Sequence, residues 1–360
     1  MTRKKGTLGP YFIEVVVYVA IFSFSCFAFS NHTAWSPEDE KKLVDLYKKG
    51  LSISEIRFEM ERDYKSVQAK LVELKTRAKI VIADENQAYR IQLMKERKDD
   101  LCPNRVEFVY EIHNKNTGRT KEFIPDSASG PDLVYDIRLW QRKAAVLGRR
   151  GDKLLYVVSI IDVDNTQLLD RFWAYKLTPS PSSRYLSYVK FYSRHAPSNN
   201  IVAIYDLARS PSENRLPGYR DSKTECGLPV YPDENVQQKS YNQAIVPEHT
   251  VISPFLWSQN ENKLVFFDIH GSQNYIVLVY LSRGIKVPII HRVPVDPKLL
   301  IKEDLQIASK EFYRNKIDKS QKFPFVVNSL SWSETEDAVL IRPSNRINPW
   351  IIDELVITLP

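Results

Sequence analysis

The chain has 360 residues, of which 43% are hydrophobic and 26% charged, and its formal net charge is +7. This length allows two folded domains beyond a leader, and the apolar content is sufficient for a substantial core. The 11 glycines, against 21 prolines and 19 tyrosines, favour strands and ordered loops over a nucleotide-binding α/β fold, and the mildly basic balance does not establish nucleic-acid binding.

Residues 1–30 have the layout of a secretory signal peptide. Basic residues at positions 3 to 5 precede an apolar run over residues 11–29, and the small residues Ala28 and Ser30 fit a cleavage site. We expect an exported chain, periplasmic or extracellular, that begins at Asn31. A membrane span needs about 20 apolar residues and this run is slightly shorter, so an uncleaved single-pass anchor is the alternative. In both cases the remainder faces away from the cytoplasm.

The pattern over residues 31–76 predicts a module of three helices. Ser36 and Pro37 are typical of a helix start, and Gly50 is typical of a helix end. Ser52 and Glu55 have the spacing of a capping box that opens a second helix. A short turn then leads to a third helix. The predicted inward side chains are Leu43, Leu46, Tyr47, Ile53, Ile56, Met60, Val67, Leu71 and Leu74.

Residues 35–75 resemble the Myb/SANT family of three-helix, helix-turn-helix-like domains. The matching positions are Trp35 to Glu40, Leu43, Leu46, Gly50 to Ile56, Arg62 and Val67 to Leu71, with Ile53 and Leu71 replacing two family aromatics. In such domains the third helix enters the major groove of DNA. The resemblance implies that the residues facing DNA would be Tyr64, Lys65, Gln68 and Lys75, with Lys70 near a phosphate.

The charge of this module favours a different role. Residues 31–75 contain nine acidic and nine basic side chains, so the module has no net charge. Phosphate neutralisation dominates nucleic-acid affinity and normally requires a basic face. We therefore favour a module that packs or docks a protein partner, and keep DNA binding as the alternative.

A helical linker is predicted over residues 77–104. It ends in the charged run 95–100, which is typical of a solvated segment, and Pro103 closes it.

The period changes to that of strands over residues 105–360. Residues 105–112 alternate, residues 114–118 form a turn and residues 121–124 complete a hairpin. A short apolar strand, a polar turn and a strongly apolar strand then recur, in copies that begin at Val146, Val189, Phe255 and Leu330. A polar insert, from Arg209 to about Gln243, and a helical insert, from Lys298 to Ile317, interrupt the later copies.

This region loosely resembles β-propellers of the WD-repeat and Tol types. The first two copies are 43 residues apart, close to the roughly 40–45 residues of a propeller blade. Trp257-Ser258 and Trp332-Ser333 each precede a polar turn and an apolar strand. We interpret both tryptophans as packing between blades. Four to six blades would fit, and a sandwich of antiparallel sheets is the alternative.

The sequence nominates no catalytic, cofactor-binding or metal-binding residue, and we expect a protein that is not an enzyme. The six histidines have no partner at metal-binding spacing, and nucleophile-elbow and phosphate-loop signatures are missing from the sequence. Asp162 and Asp164 begin like a calcium loop, but a turn after a strand fits better. In an oxidising compartment Cys102 and Cys226 could pair, and the alternative is that two cysteines so far apart in sequence never meet.

The sequence thus predicts an α+β multidomain chain, with a leader, a three-helix module and a mainly antiparallel, propeller-like β domain. The favoured function is an exported, non-catalytic binding protein with a protein partner. The alternative is a DNA-binding regulator, possible also in membrane-tethered form through residues 11–29.

Overall fold

A computed structural model provides the structure of the chain. It describes residues 34–48, 51, 53–76, 81–98, 106–125, 130–150, 156–191, 200–215, 227–231, 249–270, 273–282, 284–285, 288–320, 327–343 and 351–360. These residues belong to two compact units, a helical unit within residues 1–81 and a β unit over residues 82–360. The predicted leader, the capping box at Ser52 and Cys102 and Cys226 lie outside the described residues. Within the described ranges, no helix is long and apolar enough to cross a membrane.

The helical unit contains the three predicted helices, which are α1 (Pro37–Lys48), α2 (Ile53–Met60) and α3 (Tyr64–Thr76). The start of α1 is confirmed, because Ser36 Oγ accepts a hydrogen bond from Asp39 N at 3.1 Å. Asp39 Oδ2 in turn accepts from Ser36 N at 3.4 Å, which makes the cap reciprocal. At the start of α3, Asp63 Oδ1 accepts from Ser66 N at 2.9 Å.

The core of the helical unit is the predicted one. Its fully buried side chains come from all three helices at helical spacing, and they are Leu43, Tyr47, Ile56, Val67, Leu71 and Leu74. Three further predicted inward residues, Leu46, Ile53 and Met60, are half-buried at its margin. The apolar stripe of each helix therefore explains how a unit this small buries a common core.

Within its described residues, the β unit consists of short strands with one longer helix. In chain order the strands are β1 (Ala83–Glu85), β2 (Tyr89–Lys98), β3 (Val106–Asn114), β4 (Arg119–Phe123), β5 (Leu133–Trp140), β6 (Lys143–Arg149), β7 (Tyr156–Asp162), β8 (Gln167–Pro179), β9 (Tyr185–Phe191), β10 (Asn200–Asp206), β11 (Leu228–Tyr231), β12 (His249–Val251), β13 (Leu256–Trp257), β14 (Lys263–His270), β15 (Gln273–Tyr280), β16 (Ile289–Pro294), β17 (Val327–Trp332), β18 (Ala338–Pro343) and β19 (Leu355–Thr358). Helix α4 (Ile307–Ser320) and the 3-10 turns Ser212–Asn214 and Pro297–Leu300 lie between them.

The described strands form four antiparallel sheets in which chain neighbours pair with each other. Their orders are β1-β2-β3-β4, then β5 to β11 consecutively, then β12-β14-β15-β16 with β13 beside β14, and then β17-β18-β19. Strand β8 serves two sets of strands, because Tyr156–Asp162 of β7 pairs with its first part and β9 pairs with its last part. The ladder shifts between Tyr175 and Thr178, where Lys176 has a positive φ of 49°. β8 thus closes one four-stranded set and opens the next.

The predicted helix over residues 77–104 is wrong where the structure describes it. Residues 83–85 and 89–98 form β1 and β2, and β2 pairs along its length with β3. Tyr89 and Ile91 are buried while Arg90 between them is exposed, which is the period of a strand. The charged run at its end has good helix propensity, but pairing with β3 overrides that weak local preference.

The sheet containing β14 and β15 is buried on both faces. Alternate residues, such as Leu264 and Phe266, pack against strands β9 to β11. The intervening residues, such as Val265 and Phe267, pack in a second cluster with strands β17 and β18. Burial on both faces explains why these strands are continuous apolar runs instead of alternating ones.

Both tryptophans predicted to pack between sheets do so. Trp257 stacks on Tyr185 with ring centroids 5.6 Å apart, and its Nε1 donates to Ser187 Oγ at 3.0 Å. Trp332 Nε1 donates to the carbonyl oxygen of Trp257 at 2.9 Å, and Lys263 Nζ lies 5.6 Å from the Trp332 ring centroid. Each tryptophan therefore joins its own sheet to the preceding one.

One six-residue turn occurs three times, at residues 180–185, 258–263 and 333–338. Its first residue is serine, whose N–H donates to the carbonyl oxygen of the sixth residue at 2.8, 3.0 and 2.9 Å. The serine Oγ accepts from the sixth N–H at 3.0, 2.9 and 3.0 Å. The fourth residue has a positive φ and is Ser183, Glu261 or Glu336. We call this the serine turn.

The four predicted repeat copies are two different hairpins. The copies from Val146 and Val189 are β6–β7 and β9–β10, whereas those from Phe255 and Leu330 are β13–β14 and β17–β18. A serine turn joins the strands only in the second pair, and its third example begins at Ser180. The helical insert is confirmed in part, because α4 begins at Ile307 and the 3-10 turn Pro297–Leu300 precedes it, while the polar insert contains strand β11.

Candidate functional site

The outer face of α3 is the candidate functional site. Tyr64, Gln68 and Val72 follow one another at intervals of four residues, so they lie in a row on one face of the helix. All three are exposed, Tyr64 by 37% and Val72 by 60%. Lys65 and Ala69 flank this row and are exposed as well. We call these five residues the α3 face, and Lys65 is the charged member.

Lys70 points into the helical unit. Its Nζ lies 2.7 Å from Glu40 Oε1 of α1 and 3.2 Å from Glu73 Oε2 of α3, and only 9% of its side chain is exposed. The hydrogen bond from Lys70 to Glu40 raises the pKa of Lys70 despite the opposing effect of burial, and Glu73 adds to it. The ammonium is therefore neutralised by two carboxylates of its own unit.

A second cation is neutralised at the start of α1. Arg62 Nη2 lies 2.7 Å from Asp39 Oδ2, and its guanidinium carbon stands 4.2 Å from the centroid of the Trp35 ring. Arg62 also donates to the carbonyl oxygen of Ala34 at 3.3 Å. Burial alone would raise the pKa of Asp39, but the Ser36 N–H and the Arg62 guanidinium lower it below its usual value.

The sequence-predicted site residues fall into three groups. Tyr64, Lys65 and Gln68 lie together on the α3 face. Lys70 is engaged with Glu40 and Glu73, so the predicted phosphate contact would require these ion pairs to break. The backbone of Lys75 belongs to α3, but its side chain lies outside the described residues.

Sequence reasoning missed Val72 on this face and Phe58 on α2, which are 60% and 61% exposed. Val72 could have been found from the sequence, since it stands eight residues after Tyr64 and one after the buried Leu71. An exposed valine in a row with tyrosine and glutamine offers apolar contact and hydrogen bonds without charge.

The described residues of the β unit contain no group of three or more histidine, cysteine or acidic side chains placed to hold a metal ion. The loop at Asp162 is the predicted turn, because Asp162 Oδ1 accepts from Asp164 N at 2.9 Å and from Asn165 N at 3.2 Å. The Asp164 carboxylate contacts the Tyr89 hydroxyl and Arg142. These carboxylates thus hold the turn and join it to strand β2.

Three buried carboxylates in the β unit also have structural partners that the sequence did not reveal. Asp206 binds Arg184 through two hydrogen bonds of 3.0 and 3.1 Å, and Asp170 binds Arg215 at 2.9 Å. Asp268 accepts from the Tyr231 hydroxyl at 2.7 Å. Burial raises the pKa of Tyr231, and the charge of Asp268 raises it further.

Comparisons with known proteins give a likeness of architecture at low similarity. No family profile matches the chain, and no curated protein matches it. Solved structures that resemble it include β-propeller proteins. A prolyl endopeptidase shares 11% identity at a TM-score of 0.35, covering 77% of this chain and 34% of that one. TolB from Acinetobacter baumannii shares 14% identity at 0.25, covering 58% and 41%.

The β-propeller domain of the Trilobed protease from Pyrococcus furiosus shares 10% identity at a TM-score of 0.28, covering 73% of this chain and 79% of that domain. The chain spans about a third of the length of the prolyl endopeptidase that it resembles. These structures are too dissimilar to define the fold of the β unit. The description of that fold therefore rests on its own antiparallel sheet orders and registers.

Proposed function

We propose that this chain is an exported, non-catalytic binding protein. Its β unit serves as a propeller-like scaffold of consecutive antiparallel sheets, and its helical unit docks a protein partner through the α3 face. The observation that carries this proposal concerns charge. The exposed row of Tyr64, Gln68 and Val72 has no charge, and carboxylates of the same unit neutralise Lys70 and Arg62.

Electrostatics favours a protein partner over DNA. A DNA-reading helix needs several cations free to displace counterions, since affinity rises with the number of phosphates neutralised. Here Lys70 and Arg62 are held by Glu40, Glu73 and Asp39. Burying Val72 and the Tyr64 ring against an apolar partner surface would be favourable, because both side chains are exposed in the free unit.

The chemistry of the β unit supports a non-catalytic role. Asp170 and Asp206 each form an ion pair with an arginine, and Asp268 is bonded to a tyrosine. Each of these buried acids thus has a hydrogen-bonding partner within the β unit, and a structural role explains its burial.

The test uses the full chain with a photo-crosslinking amino acid at Gln68, expressed in its own cell. We expect a discrete crosslinked protein that is lost when Val72→Asp is added. The matched control carries the same probe at Asp45, an exposed residue of α1, and should give no such product. A product that is insensitive to Val72→Asp would contradict docking through the α3 face.

The DNA alternative is tested on the same protein by fluorescence anisotropy with duplex DNA at low and moderate salt. We expect no binding above background even at low salt, where phosphate contacts are strongest. Tight, salt-dependent binding that Lys65→Gln weakens would replace our proposal with a DNA-binding one. Sequencing the N-terminus of the mature protein addresses export separately, with Asn31 as the expected first residue.

A further inference from the structure

The sheet formed by β17, β18 and β19 has three strands, whereas the other sets have at least four. Among the described residues, β19 is paired on one side only, with β18. The fourth positions of the other sets are taken by β4, β8, β11 and β16. No strand of the described ranges therefore takes the fourth position beside β19.

The outer edge of β19 presents backbone groups for such a strand. Leu359 N donates to the carbonyl oxygen of Asp337 at 2.8 Å, and the register pairs Ile357 with Val339. Hydrogen-bonded and non-bonded positions alternate along an antiparallel ladder. The N–H and C=O groups of Val356 and Thr358 consequently point away from β18, toward the position of the additional strand.

This edge lacks the charged side chains and prolines that protect the other edges. Proteins blunt exposed edges with charge, with proline or by keeping the edge strand short, and β19 has four residues. Strand β4 carries Arg119, Lys121 and Glu122, while β11 contains Pro229 and β16 contains Arg292 and Pro294. Strand β19, with the sequence LVIT, has neither charge nor proline. Its Val356 is 57% exposed.

The side chains of β19 define what would bind there. Leu355 and Ile357 are half-buried against the cluster that contains Val339 and Ile341, so an apolar residue on an added strand would extend that cluster. Asp353, whose side chain is 79% exposed, stands just before the strand and lies 4.0 Å from Lys302 Nζ. An incoming basic residue at that end would share this exposed carboxylate with Lys302.

We propose that the β19 edge binds an extended segment of a partner protein by strand addition. The segment runs antiparallel to β19, alternates small polar and apolar residues, and carries a basic residue at its C-terminal end beside Asp353. Pairing two copies of β19 is less favourable, because a four-residue edge buries far less than the roughly 1,200 Å² of a stable dimer. A flexible segment needs only the edge itself.

The probe is an acetylated, amidated and fluorescently labelled peptide of sequence Thr-Val-Thr-Val-Thr-Lys, tested with the full chain. We expect saturable binding that Val356→Pro weakens at least tenfold, because proline removes an outward N–H and leaves the bonds to β18 intact. Val356→Thr is the matched control and should bind like wild type. A peptide with N-methylated threonines should not bind, because the threonines lie opposite Val356 and Thr358 and their N–H groups point toward β19.

Hydrogen exchange locates the binding. The peptide should slow exchange of the Val356 and Thr358 amides, whereas the Ile357 amide should be protected already. The proposal is overturned if the peptide binds Val356→Pro equally well, or fails to bind wild type. It is also overturned if the Val356 amide is protected without peptide, or if light scattering shows a dimer that Val356→Pro dissociates.

Two further measurements keep the result interpretable. Thr358→Pro blocks a second outward N–H and should act like Val356→Pro, should the first variant prove unstable by circular dichroism. Val72→Asp on the α3 face should leave peptide binding unchanged. Failure of this inference and failure of the proposed docking through α3 can therefore be told apart.

Discussion

The two units use carboxylates in opposite ways. In the helical unit, Glu40 and Glu73 neutralise the largely buried Lys70, and Lys65 is the charged residue of the α3 face. In the β unit, carboxylates in the serine turns reach the neighbouring sheet. Glu261 accepts from Ser182 N at 2.6 Å, and Glu336 accepts from Gln259 N at 3.0 Å.

The difference lies in the sequence distance that each contact spans. The ion pair of Arg62 joins residues 23 apart, whereas the turn-to-turn hydrogen bonds join residues 79 and 77 apart. Helical contacts form within one local unit. The links between sheets join residues far apart in sequence, so we expect the β unit to fold more slowly than the helical unit.

The largest expected effect tests whether the β unit depends on tight contacts between residues that are far apart in the sequence. Gly227 has a φ of +86°, and a Cβ there would stand 2.2 Å from Tyr188 Oη. Tyr188 is fully buried and its ring packs at a tilt against Phe172, with centroids 5.1 Å apart, so it has little room to move aside. We expect Gly227→Ala to lower the free energy of unfolding by about 3 kcal/mol, from backbone strain and overpacking together.

The control for this substitution is Gly118→Ala in the β3–β4 turn. Gly118 also has a positive φ, of +68°, but nothing lies within 4 Å of the added Cβ. Its expected cost is about 1 kcal/mol from φ alone. Urea denaturation measures both variants, and equal losses would show that contact with Tyr188 contributes nothing.

Lys70→Met tests the helical unit, in which the ion pair of Lys70 with Glu40 joins α1 to α3. The substitution keeps the length of the side chain but leaves Glu40 and Glu73 without their shared cation. Breaking a buried pair costs about 3–5 kcal/mol, and these partners are partly exposed, so we expect a loss of about 2 kcal/mol. Lys65→Met on the exposed face should change stability by less than about 0.5 kcal/mol. A neutral Lys70→Met with impaired DNA binding would reverse the assignment of this residue.

In the helical unit, the described helices and core positions agree with the sequence pattern, whereas the predicted helix end at Gly50 and the capping box at Ser52 lie outside the described residues. The cap at Ser36, the three helices and the core positions Leu43, Ile56 and Leu74 follow from local spacing. What spacing could not show was the fate of Lys70. A lysine on a surface-like position and a lysine tied to Glu40 on another helix give the same local pattern, and only the packing of α1 against α3 separates them.

The β unit was predictable in type but not in register. The hairpin of residues 106–123 and the strongly apolar strands were found, yet β1 and β2 were read as a helix. The four repeat copies were assigned to one hairpin because each has two apolar runs around a polar turn. The distinguishing signal is the serine that starts each serine turn, as at Ser180, since its Oγ must cap the turn.

Glu261 offers a measure of how much a turn-to-turn link contributes. At its φ of 58° a glycine would be less strained, so Glu261→Gly should recover about 1 kcal/mol relative to Glu261→Ala. Loss of the bonds to Ser182 N and Oγ should cost both variants about 1–2 kcal/mol. We expect wild type to be the most stable of the three in urea denaturation. The exposed Glu334→Ala serves as control, and a Glu261→Gly protein more stable than wild type would show that strain outweighs the link.

The smallest effect concerns pH and the helical unit alone. Because the folded-state pKa of Asp39 is lowered, its contribution to stability is present above its unfolded pKa of about 3.9 and is lost as pH falls through the folded value. The stability difference between wild type and Asp39→Asn should therefore be constant above about pH 5 and shrink below about pH 4. It should stay under about 1 kcal/mol, since partly exposed pairs contribute little.

Carboxyl NMR titration should show the pKa of Asp39 rising in Arg62→Gln, whereas Lys42→Gln should leave it in place, because Lys42 bonds to the Glu59 carbonyl oxygen instead. An unchanged pKa of Asp39 in Arg62→Gln would mean that the hydrogen bonds with Ser36 lower this pKa without a contribution from Arg62.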